Sequence, residues 1–291
     1  MIKYVFLLLL LSPLLSYGQS DSIPAFKIFS VRAQREISWD ELLNQLHNKD
    51  VIFFGEEHND SVAHVLELRL LKGLHRQGHR QVILSMEMFQ SDVQLVLNEY
   101  LQGLISERNF ATAARVWNNY KDYRPLVAYA KENNLPVSAA NAPDRYVNLV
   151  ARKGLSALQS LSKEARGFLP PLPIDTLGGR YAEKFHTLMG GHGGMGSMRL
   201  YQAQNLWDAT MAWHIARLMK RRRKTKQVLH LTGRFHSDEK LGTYAQLMKY
   251  GHKLQCTNLS VFNDPAFDHP QWDQWTELGD YIIVTRPTHA P

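Results

Sequence analysis

A single cysteine, Cys256, stands in 291 residues, so no disulfide can form within the chain. The fold must rest on its core, which a chain of this size can bury. Cys256 lies in a strand-like stretch, where a buried, inert thiol is expected. Long apolar runs are also scarce. One occurs at the N-terminus, Val5 to Leu11, continuing to Leu15 after Ser12-Pro13. It is too short for a membrane span. With Lys3 before it and Ser16-Tyr17-Gly18 after it, it has the form of a signal peptide cleaved after Gly18. An uncleaved anchor is the alternative. No cysteine lies near that point, so a lipoprotein anchor is not expected. The expectation is export, to a periplasmic or extracellular location. No solenoid-length repeat is present. Nor do aromatics interleave the basic run Lys220 to Lys226, which excludes a groove for single-stranded nucleic acid. That run reads as the solvated C-terminal end of a helix. The rest of the composition, 44% hydrophobic and 21% charged with a net charge of +7, is that of an ordinary globular protein.

What is present is organised around residues 51–60, VIFFGEEHND. Four apolar residues predict a buried strand. Gly55 permits a tight turn, and a helical pattern runs from Ser61 to Gln77, ended by Gly78. Strand ends of this kind hold the sites of open α/β sheets. A plainer reading makes Asn59 or Asp60 the helix cap, with Glu56 and Glu57 favoured by the helix dipole. The next strand, Val82 to Leu84, leads to Glu87. A third spans residues 137–140, and a first is expected at 27–31. Ser38 and Glu41 form a capping box. Residues 91–134 read as helical and 143–225 show no strand. Gln227 to Leu231 is a strand ending in Gly233-Arg234-Phe235-His236, and residues 253–261 and 280–285 close the sheet. Strands alternating with helices predict an α/β fold, a mainly parallel sheet flanked by helices. The sheet core spans about 27–142 and 226–291, with an inserted helical lobe over about 143–225.

The opening motif has an echo. Gly55-x-x-His58 and Gly233-x-x-His236 each follow an apolar strand. Parallel strands bring both ends to one edge, where Glu87 also lies. Glu56, His58, Glu87 and His236 then form a cluster suited to a divalent metal or to general acid–base chemistry. Helix-end histidines bonded only locally are the alternative. Gln204 and Asp208, four apart on a long helix expected from Ser197 to Lys220, share a face. Asp208 is placed to orient His58 or His236, to pair with Arg234, or to make an ordinary interhelical bond. Five glycines in residues 190–196 make a flexible loop, and the segment carries His186 and His192 with Met189, Met195 and Met198.

Six segments together resemble a known family: VIFFGEEH at 51–58, MEMF at 86–89, YKDYRP at 120–125, SAANAP at 138–143, QNLWDATMA at 204–212 and GRFH at 233–236. The chain is similar to the ChaN-type haem-binding uptake proteins of the Tiki, TraB and erythromycin-esterase-like superfamily. The resemblance implies one ChaN-like domain over 19–291 and surface binding of haem as a cofacial pair within a homodimer. It also implies a role in haem and iron uptake, with contact to a membrane surface or haem receptor and none to nucleic acid. Its wider branches imply an alternative, a hydrolase (protease or esterase) with or without a divalent metal. The residues for that chemistry are Glu56, His58, Glu87 and His236, with Arg234 and Asp208 beside them. Iron accepts His, Tyr or Met, so His186 and His192 are the first candidate haem ligands, flanked by Tyr181 and Tyr201. A loop with incidental histidines is the alternative.

Overall fold

The structure is a computed structural model that describes residues 25–190, 195–220, 223–251 and 253–287. The expected signal segment 1–18, His192 and part of the basic run 220–226 lie outside those residues. Eight strands form one sheet in the order β2-β1-β8-β7-β3-β6-β4-β5. They are β1 (Phe26–Ser30), β2 (Arg35–Glu36), β3 (Val51–Glu56), β4 (Gln81–Gln90), β5 (Val137–Asn141), β6 (Lys226–Gly233), β7 (Cys256–Asn263) and β8 (Tyr281–Thr285). From β8 to β5 every pairing is parallel. Only β1 and β2 run antiparallel, at one edge.

Strand β6 lies between β3 and β4, and this placement builds the site. Its register sets Glu56 opposite Gly233 and Met86 opposite Leu231. Consecutive strand residues face opposite sides of a sheet. Ile52, Phe54, Leu84 and Leu231 therefore join one core layer, beneath α1 (Trp39–Leu46), α2 (Ser61–Gln77), α3 (Gln94–Leu101), α4 (Glu107–Ala113) and α5 (Tyr120–Glu132). Val51, Phe53, Ile83 and Val228 join the other. That layer packs against the helical residues Ala212, Ile215 and Leu247.

The expected lobe contains α6 (Asp144–Lys153), α7 (Lys163–Arg166), α8 (Arg180–Leu188) and α9 (Met195–Met219), with no strand among its described residues. Helix α9 is more than an insertion. Its Ala203, Leu206 and Ala209 pack with α6, while Ala212, Ile215 and Met219 cover the sheet, so lobe and core share one helix. Helix α10 (Gly242–Tyr250) completes this layer. Phe267 packs with Phe29, Phe262, Ile282 and Val284, and Trp272 and Trp275 lie against them, covering the β1–β8–β7 end of the sheet. Among the described residues, no helix is long and apolar enough to cross a membrane.

Candidate functional site

Glu56 ends β3 at 1% exposure. Its Oε1 accepts from the Tyr123 hydroxyl at 2.6 Å and sits 2.8 Å from His58 Nδ1. Two glycines make the close approach possible. A Cβ on Gly233 would lie 2.8 Å from His58 Nε2, and one on Gly55 would lie 2.4 Å from Ser237 Oγ and 3.0 Å from Arg234 Cα. Each GxxH turn thus packs into the space left by the other's missing side chain. Burial depresses the His58 imidazolium, but the bond to Glu56 and the charges of Glu87 and Glu56 outweigh it and raise its pKa. Burial works against ionisation of Glu56 too, yet the bond from His58 and the close approach of the His64 imidazole bring its carboxyl down to about 2.

On the second turn, His236 is buried, with Nδ1 2.7 Å from Asp208 Oδ1 and Nε2 3.6 Å from Glu87 Oε1. Glu87 Oε2 accepts from Thr232 Oγ1 at 2.6 Å and from the Gly233 amide at 2.8 Å. Asp208 also accepts from the Thr243 hydroxyl at 3.0 Å and the Tyr181 hydroxyl at 2.5 Å. Burial lowers the pKa of His236, but Glu87 and Asp208 lift it to about 9. Glu87 is held below the usual carboxylate range: burial opposes this, and His236, His58, Thr232 and Gly233 overcome it. Two His–carboxylate pairs therefore flank one ionised Glu87. A carboxylate on Nδ1 fixes the ring and leaves Nε2 for a proton or a metal. His58, whose side chain is 41% exposed, is the solvent-facing member.

Strand parity divides the expected cluster. Glu56 shares the parity of Ile52 and Phe54 and turns toward α2 and α5. Glu87 shares the parity of Ile83 and turns toward α9 and α10. His58 and Gly233 lie between them. Arg234 points away from both histidines, with Nε on Asp238 at 2.8 Å, Nη1 on Glu57 at 3.3 Å and its guanidinium over Phe262. Asp208 meets His236 and makes no bond to His58 or Arg234. The plainer reading of the first turn holds for Asp60 alone, whose Oδ1 accepts from Val62 N and Ala63 N.

Of the haem candidates, Tyr181 touches this cluster through Asp208, while His186 and Tyr201 lie on α8 and the start of α9 without a bond to it. His186 is half-buried, with Nδ1 3.3 Å from Ser197 Oγ. Close by in the chain, Leu188, Met189, Met198 and Leu200 are exposed. Tyr181 is 0% exposed with its hydroxyl on Asp208, and the Tyr201 hydroxyl donates to the Leu177 carbonyl. Both phenols are engaged as donors, Tyr181 to a carboxylate and Tyr201 to a backbone carbonyl.

Three residues in direct contact with the cluster receive no role from the motifs, although Tyr123 lies within the YKDYRP segment at 120–125. Tyr123 is one aromatic among many on α5. His64 and Glu67 lie on the buried face of α2 with Val62, Ala63, Leu66, Leu70, Leu71 and Leu74. Their signal was present as an i, i+3 pair within an apolar ladder. Val65, between them in the chain, is 42% exposed and lies off that face.

A family model described as haem-binding uptake, Tiki superfamily, ChaN matches residues 42–247. A solved structure of cofacial haem binding to ChaN of Campylobacter jejuni superposes with a TM-score of 0.67 at 15% identity, covering 90% of this chain and 97% of that one. At this identity the likeness establishes the fold. An erythromycin esterase mutant in its open conformation is more distant, with a TM-score of 0.49, 11% identity and 92% of this chain covered against 84% of that one. Among curated proteins, Protein RETICULATA-RELATED 5, chloroplastic, of Arabidopsis thaliana is 25% identical over 140 residues. That stretch is 46% of this chain and 18% of the relative's length.

Proposed function

The chain belongs to the ChaN family of haem-binding uptake proteins in the Tiki superfamily, and from that premise we propose that it binds haem at the α8–α9 hairpin after export and serves iron uptake. The observation that carries this reading is the family match over residues 42–247. The hairpin supplies the chemistry a porphyrin needs. Leu188, Met189, Met198 and Leu200 expose apolar side chains. Exposed apolar patches mark binding surfaces, and His186 beside them is an axial ligand for iron. His192, in the same glycine-rich segment, is the second imidazole. A homodimer pairing two hairpins would cover both haems.

Titration of the protein with hemin tests the proposal. A Soret shift that saturates and is lost in a His186→Ala/His192→Ala double variant is expected; an unchanged hemin spectrum would overturn it.

The geometry of the strand-end cluster favours a second reading. His58 and His236, each held at Nδ1 by a carboxylate around an ionised Glu87, form an arrangement suited to general acid–base chemistry, with the proton held on His236 available to a leaving group. The corresponding activity is hydrolysis of an ester or peptide. Turnover abolished by His58→Ala is the expected result; inactivity across a broad hydrolase panel contradicts it.

A further inference from the structure

Behind Glu56, at its second carboxylate oxygen, lie two side chains that neither reading employs, His64 and Glu67. Glu56, His64 and Glu67 each offer one ligand atom, and these atoms lie within 4.8 Å of one another. His64 Nδ1 is 3.1 Å from Glu56 Oε2 and 3.4 Å from Glu67 Oε2. The residues are 1%, 8% and 0% exposed, respectively.

Their remaining bonding capacity is unmet. Among the described residues, Glu56 Oε2, Glu67 Oε1 and His64 Nε2 have no hydrogen-bond partner. Glu56 Oε2 thus approaches the imidazole as an ion-pair atom without a bond along the N–H direction. An unsatisfied buried polar atom costs about 1–3 kcal/mol, and more when charged. Buried carboxylates call for a counter-cation. With no ion bound, His64 plays that part: against its burial, Glu56 and Glu67 lift its pKa to about 10, and an ion that binds there displaces its proton. Tyr123, fully buried, closes the group on one side and is committed to Glu56 Oε1. Oε2 is therefore the oxygen left to turn inward.

We propose that Glu56, His64 and Glu67 form a structural site for a divalent first-row metal ion that ties α2 to the end of β3. Two carboxylate oxygens and one imidazole nitrogen suit manganese, ferrous iron or zinc. The ion joins three groups from two elements and satisfies carboxylate oxygens that hydrogen bonding leaves open. It also fixes Glu56, which holds His58 Nδ1 at 2.8 Å. The site therefore acts on the strand-end histidine through one shared carboxylate. Such a buried ion is loaded as the chain folds.

The test uses full-length protein isolated from cells grown without added haem. One portion is analysed by elemental mass spectrometry as purified. Another is unfolded with chelator and refolded in manganese, zinc or cobalt(II). The wild type is expected to retain about one equivalent of metal through gel filtration. His236→Ala should retain it as well, whereas Glu67→Gln, nearly isosteric, should lose it by about tenfold or more. Wild type that holds no metal in either preparation overturns the proposal, and marks the group as a buried proton-sharing cluster. Loss in His236→Ala with retention in Glu67→Gln overturns it too, and moves the metal to the Glu87 side. Should Glu67→Gln fail to fold, wild type refolded with and without chelator decides: a higher Tm with metal supports the site, and identical Tm values refute it.

Discussion

Replacing His236 by glutamine should flatten the alkaline fall in stability. In the fold this histidine is buried, and the charges of Glu87 and Asp208 overcome burial to hold its pKa near 9 instead of the ordinary 6.5. A folded-state pKa above the unfolded one means that the native state binds the proton more tightly. The resulting stabilisation is complete below pH 6.5 and disappears as pH rises through 9. At about 1.4 kcal/mol per pH unit, that interval corresponds to about 3 kcal/mol. His58 titrates in the same direction, because Glu56 and Glu87 outweigh its burial. Wild type alone therefore mixes several histidines. The difference between wild type and His236→Gln isolates one. Urea unfolding at pH 6 and pH 10 should show the variant less stable at pH 6, with a gap about 3 kcal/mol narrower at pH 10. An equal gap at both pH values would refute the claim that Glu87 and Asp208 hold a proton on His236.

Three further substitutions test the geometry. Gly55→Ala places a Cβ 3.0 Å from the Arg234 backbone. It should cost about 1–3 kcal/mol in chemical denaturation, as overpacking does, and disturb both GxxH turns. Tyr123→Phe removes the 2.6 Å bond to Glu56. A loss of about 1.5–3 kcal/mol is expected for a hydrogen bond to a charged group, with the His58 NMR titration displaced. Asp60→Ala removes the cap on Val62 N and Ala63 N and the 2.5 Å bond from Thr285. Thermal unfolding should reveal at least the 0.5–2 kcal/mol, roughly, of a lost cap.

The succession of strands and helices was legible because each strand is a short apolar run closed by turn chemistry. Gly78 ends α2 in the left-handed conformation, φ 65°, as its place after the helix predicts. The convergence of the two GxxH turns was legible as well, since parallel strands share an edge. Which side of the sheet each carboxylate faces was not. That depends on the register of β3 and β4 on either side of β6, which sets Glu56 beside Gly233 and Met86 beside Leu231, and motif spacing does not encode register. As a result Glu56 and Glu87, expected in one cluster, belong to opposite layers joined by His58 and Gly233. Tyr123 and the His64–Glu67 pair escaped for another reason. Their polar atoms sit inside apolar helical faces, where side-chain type alone argues for packing. Asp60 and Glu56 show that a cap and a site can occupy one turn, so the two readings of residues 51–60 were compatible.

The central claim, haem bound at the α8–α9 hairpin, meets its most direct test in a hemin titration followed by absorbance, run in parallel on wild type and on the His186→Ala/His192→Ala double variant. A saturable Soret shift is expected in wild type and its loss in the double variant, while His58→Ala binds as wild type does. A hemin spectrum unaltered by wild type, or a shift abolished by His58→Ala and kept in the double variant, would contradict it.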